Sequence, residues 1–158
     1  MNVFNKTMLA FALLAGCVMP AAALDANRAG TVVTIMEKIS EESGEDIYYG
    51  AGDVFLELDD NGYIAAAGFS DADWVVTFDE VVTGYMATIP QDEFDGIFRD
   101  LVAMLEASTA LSDAQKAEVR QDMVLNIAEA QRARESGMPH AHAVLPFADR
   151  LYPMFFGE

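Results

Sequence analysis

In residues 70–88 the apolar side chains Trp74, Phe78, Val81, Val82 and Tyr85 recur at i, i+4, i+7, i+8 and i+11. That spacing puts all five on one face of a helix, so the segment is stable only with that face packed against something else. Ser70-x-x-Asp73 precedes it as a capping box, in which each side chain bonds the other residue's free backbone N–H. The rest of the chain must supply what this helix packs on.

Three more stretches show helical spacing. Residues 24–43 open on Asp25 as a cap and carry Val32, Ile35, Met36 and Ile39 before Gly44. Pro90 starts the next, with Asp92 and Glu93 placed well for the helix dipole. Phe94, Ile97, Phe98, Leu101, Val102 and Leu105 form its stripe. Gly96 inside that stripe costs about 1 kcal/mol relative to Ala, and we read it as a close helix crossing. Ser112 caps the longest segment, 113–136, with Val119, Met123, Val124, Ile127 and Ala130 inward and Gly137 closing it. Beyond Pro139, the residues Val144, Phe147, Ala148, Leu151, Tyr152 and Phe155 predict a short helix from Pro146 that packs back on the bundle.

The expectation is a mainly α, single-domain helical bundle of four to five helices over residues 24–158. Its core lies where Trp74/Phe78/Val82, Phe98/Leu101/Leu105 and Val119/Met123/Ile127 meet. No internal repeat or low-complexity linker divides it, and a chain of 158 residues buries roughly 70% of its unfolded surface.

Residues 1–23 read as a targeting segment. Lys6 gives the positive start, residues 8–19 are apolar, Pro20 breaks the run, and Ala21-Ala22-Ala23 is a small-residue cleavage site. The apolar run is shorter than the ~20 residues a membrane-spanning helix needs. Leu14-Ala15-Gly16-Cys17 also resembles the lipobox of bacterial lipoproteins, which implies lipidation at Cys17. Two outcomes follow: a periplasmic or secreted protein cleaved after Ala23, or a lipoprotein anchored through Cys17. Cys17 is the only cysteine, so no disulfide supports the exported fold.

The formal charge is −17. Nucleic acid and anionic membrane surfaces both require cationic patches, so neither is expected as a partner; membrane contact is left to the lipid anchor alone. Between residues 41 and 95 there are 15 acidic side chains and no Lys or Arg. That reads as a solvated acidic face or a surface that collects cations.

Residues 55–69 (FLELDDNGYIAAAGF) hold the strongest turn signal, Asp60-Asn61-Gly62. One reading is a β-hairpin between 54–59 and 63–69, with Asn61-Gly62 at the corners. The other is a helix–loop–helix junction. There the spacing Phe55-x-x-Leu58-Asp59-x-Asn61-Gly62, followed by Ile64 and Phe69, resembles an EF-hand calcium loop. The resemblance implies Asp59, Asp60 and Asn61 as metal ligands. Gly68 stands where the family closes the loop with a bidentate Glu, so calcium affinity is expected at ~10⁻⁴–10⁻³ M.

Leu111-Ser112-Asp113-Ala114-Gln115 is similar to the LTxxQ motif of periplasmic stress chaperones, although a capping box gives the same letters. Met138-Pro139-His140-Ala141-His142 would suit copper if extended, with both imidazoles to one side; the alternative is two surface histidines. Tyr48-Tyr49 is either a surface binding feature or a lid on the core. No Gly-x-Ser-x-Gly turn or phosphate-cradling glycine loop occurs, so nothing in the sequence supports catalysis. The expected function is a non-catalytic exported module that binds a protein or small ligand, without a cofactor beyond weak calcium. The alternatives are a weak EF-hand-like cation binder and a periplasmic chaperone-like factor.

Overall fold

The computed structural model describes residues 24–44 and 52–156, so the leader, Cys17 and Tyr48-Tyr49 lie outside the described residues. The fold is mainly helical, with no strand among the described residues. The order is α1 (Ala26–Ser43), α2 (Gly52–Leu58), α3 (Tyr63–Ala66), α4 (Asp71–Thr88), α5 (Gln91–Ala107), α6 (Asp113–Gly137), α7 (Ala141–Val144), a 3-10 turn (Leu145–Phe147) and α8 (Ala148–Phe156). The expected four to five helices undercount this, because α2, α3 and α7 are too short to show a period.

The hairpin at Asn61-Gly62 does not form. A type I′ corner needs positive φ at both central residues, and only Gly62 has it, at φ 67°. Instead, the Asp59 carboxylate accepts from the Tyr63 N–H at 2.8 Å and the Ile64 N–H at 2.9 Å. Those are the free donors of a helix's first turn. Satisfying them starts α3 with only four residues between it and α2.

A head is built on α4. Trp74 sits at its centre with Phe55 of α2, Phe69 and Phe78, at ring-centroid distances of 5.7–6.2 Å. Its indole N–H donates to the Gly52 carbonyl at 2.9 Å, which satisfies the one polar atom of the ring. Ala29, Val32, Val33, Met36 and Ile39 of α1 close one side, and Val144 and Leu151 from α7 and α8 another. Gly30 of α1 leaves room for the Phe147 ring, which a Cβ there would approach to 2.7 Å.

Ion pairs at the edge tie the layers. Arg28 of α1 reaches Asp73 and the Thr77 hydroxyl on α4. The capping box at Ser70 is therefore half made: Ser70 accepts from the Asp73 N–H, while the Asp73 carboxylate turns to Arg28. Arg150 of α8 pairs with Glu37 and donates to Thr34 on α1.

The remaining two helices form an antiparallel hairpin. Arg134, late in α6, donates to Gln91 at the start of α5 and to the Ile89 carbonyl. At the other end Lys116 and Arg120 hold Glu106. The hairpin joins the head where α6 ends. Gly137 is buried there, and a Cβ on it would collide with the Thr83 carbonyl and the Gly84 nitrogen. Gly84 in turn packs under Val144 and His140. Gly137 lacks the positive φ of a helix-closing glycine; its role is close approach. Gly96, expected at a crossing, has only the Arg99 side chain within reach of a Cβ, at 3.6 Å.

The single core expected from three stripes is accordingly corrected. The Trp74/Phe78 stripe is central, whereas Phe98 is half-buried and Leu101 and Val119 are exposed. Phe94 and Leu105 are buried in the hairpin, apart from the head's core.

Candidate functional site

The residues named as metal candidates are neighbours with separate tasks. Both oxygens of Asp59 accept backbone N–H groups of α3. Asp60 is exposed, and Asn61 donates its amide to Glu42 of α1. Glu42 also accepts from the Tyr63 hydroxyl, which holds the Tyr63 phenol above its ordinary pKa. Among the described residues no group of three or more His, Cys, Asp or Glu converges as a metal site would. Cys17 lies outside the described residues.

His140 and His142 stand on a helical turn entering α7, not on an extended segment. Two residues apart on a helix is about 200° of rotation, so the rings point to different sides. Ser112 and Gln115 make a complete capping box: the Ser112 hydroxyl accepts from the Gln115 N–H and the Gln115 side chain from the Ser112 N–H. These two letters of the LTxxQ-like segment are thus used in starting α6.

The feature that calls for a partner is the α5–α6 hairpin. Leu101 and Met104 on α5 are 46% and 69% exposed, and Val124 and Leu125 on α6 are 61% and 60% exposed. α5 packs on α6 and α6 packs in addition on α4, and what lies off those two seams stays in water. The hairpin also differs from the head in charge. Residues 91–137 hold five Lys and Arg against ten Asp and Glu, a net −5 in a chain of −17, and the stretch 99–134 within them is a net −1. Sequence reasoning found the stripe but assigned it to the core; Leu125, off any stripe, was the signal that more than one face of α6 is apolar.

On the head, an open groove runs along α1 between α3 and α8, past Asn27, Gly30 and Thr34. Its two cations are engaged: Arg150 with Glu37, and Lys38 over the Tyr63 ring at 4.9 Å. Among the described residues no helix is long and apolar enough to cross a membrane. No family model, no curated protein and no solved structure matches the chain.

Proposed function

We propose that the chain is a non-catalytic, exported interaction module whose α5–α6 hairpin binds a second copy of itself. The exposure of Leu101, Met104, Val124 and Leu125, in a stretch (99–134) of net charge −1, carries this reading. Two such hairpins laid face to face give the four-helix arrangement that one hairpin cannot complete. Charge selects the same surface. Heads this acidic repel one another, so association favours the segment with least net charge, with the heads at opposite ends. Export rests on Lys6, the apolar run and the alanine site.

Sedimentation velocity on the chain from residue 24 tests the proposal. A dimer is expected, and Leu101→Glu with Met104→Glu should convert it to a monomer of unchanged helicity. A wild-type protein that stays monomeric up to high micromolar concentration would refute self-association. If that monomer suppressed aggregation of a denatured client, and the same double variant did not, the hairpin would instead serve the chaperone-like reading. The adaptable, exposed Met104 suits that role.

A further inference from the structure

Residues 24–158 contain no cysteine, so their only oxidisable sulfur is the thioether of Met36, Met86, Met104, Met123, Met138 and Met154. Burial ranks the six. Met36 lies in the head's core at 3% exposure, and Met86, Met123 and Met154 are half-buried. Met104 and Met138 are open, at 69% and 65%.

The two open methionines occupy different settings. Met104 is on α5, three residues after the exposed Leu101 and so on the same side of the helix. No other large apolar side chain among the described residues is as exposed. Met138 directly follows α6, at the end of the hairpin where Gly137 meets the head and Arg134 meets Gln91. Met104 lies toward the opposite end, where Arg120 holds Glu106. A change of polarity at Met104 therefore alters the hairpin's apolar patch, and the same change at Met138 does not.

We propose, resting on the self-association proposed above, that Met104 is a modification site whose oxidation switches that association off. Hydrogen peroxide supplies the oxygen. The Met104 Sδ lone pair attacks one peroxide oxygen, the O–O bond breaks, an S–O bond forms, and the second oxygen leaves as water with both protons. Sulfur loses two electrons and the peroxide gains two. A polar sulfoxide then stands where an apolar side chain stood, and burying it against a second hairpin takes its oxygen out of water. Oxidation and association oppose each other by the same factor: the dimer shields the sulfur, and the sulfoxide holds the chain as a monomer. A sulfoxide reductase restores the thioether, two thiols becoming a disulfide while the oxygen leaves as water.

Peptide-resolved mass spectrometry and sedimentation velocity of the chain from residue 24, before and after hydrogen peroxide, test this. Met104 and Met138 should oxidise first, with Met36 at least about tenfold slower. Raising the protein concentration through the dimer range should slow oxidation at Met104 and leave Met138 unchanged. The oxidised chain should dimerise more than about tenfold more weakly at unchanged helicity, the scale of a polar group desolvated without a partner. Met138→Leu should keep this response, whereas the Kd of Met104→Leu should be the same before and after peroxide. A dimer that survives complete sulfoxide formation at Met104 would overturn the switch and leave the dimer standing. So would a Met104→Leu dimer that peroxide still dissociates. A chain already monomeric before peroxide would overturn both.

Discussion

The head and the hairpin use the same helical spacing of apolar residues and reach opposite results. Phe55, Trp74 and Phe78 leave at most 5% of their surface to solvent, whereas Leu101 and Met104 remain largely in water. The difference is in what surrounds each helix. α4 is covered by α1, α2, α6, α7 and α8 together. α5 packs chiefly on α6, whereas α6 packs more extensively on α4, most closely at Gly137, than on α5. Periodicity states that a face exists; the number of neighbours decides whether water leaves it.

Substitutions can break that contrast, and the largest effect is expected in the head. Trp74→Ala should cost ~3–5 kcal/mol, the range for deleting a fully enclosed aromatic. Phe98→Ala, half-buried in the hairpin, should cost clearly less. Urea midpoints of the two variants, compared with wild type, decide the matter. Equal losses would mean that the hairpin is as enclosed as the head.

Two glycines sharpen the comparison by sign. Gly137→Ala forces a methyl into the Thr83 carbonyl and should destabilise by about 1–3 kcal/mol, as overpacking does. Gly96→Ala meets only the Arg99 side chain, at an ordinary contact distance of 3.6 Å, inside α5 and should stabilise by up to about 1 kcal/mol. Thermal midpoints shifting the same way for both would place the close crossing elsewhere. Within the head, Asp59→Ala removes the acceptor for two N–H groups of α3 and should cost ~0.5–2 kcal/mol, the scale of a lost helix cap.

The smallest effect lies at the far end of the hairpin. Arg120, hydrogen-bonded to Glu106, holds the Glu106 carboxyl below its ordinary pKa, with Lys116 adding to it. A carboxyl lowered in the folded state contributes stability above its unfolded pKa and loses it as pH falls through the folded one. Protection factors of amides near Glu106, corrected for the intrinsic pH dependence of exchange, should therefore fall as pH drops below the ordinary carboxylate range in wild type, and less so in Glu106→Gln. No pH dependence at those amides would show that the contact adds nothing there.

Much of this architecture was legible, and the misses share a cause. Asp25, Ser70 and Ser112 mark helix starts correctly because capping is local chemistry, complete within four residues. The stripe of α4 names its own core for the same reason. Sequence alone could not decide between a hairpin and a helix–loop–helix junction at Asn61-Gly62, and the second forms, because the deciding bond comes from Asp59, whose carboxylate serves a helix or a metal equally well on paper. Gly96 and Gly137 were exchanged because a close crossing depends on the opposite helix, and Thr83 is 54 residues from Gly137 in the chain.

The position of Trp74 also makes the molecule its own two-channel reporter. It is the sole tryptophan, fully enclosed in the head and bonded through its indole N–H to Gly52. Its emission therefore follows the opening of the head and is silent about α5 and α6. Backbone circular dichroism, by contrast, reports every helix, including the 17 residues of α5 and 25 of α6. If the two signals melt together, head and hairpin form one cooperative unit; if ellipticity falls first while the emission stays blue, the hairpin unravels as a separate one.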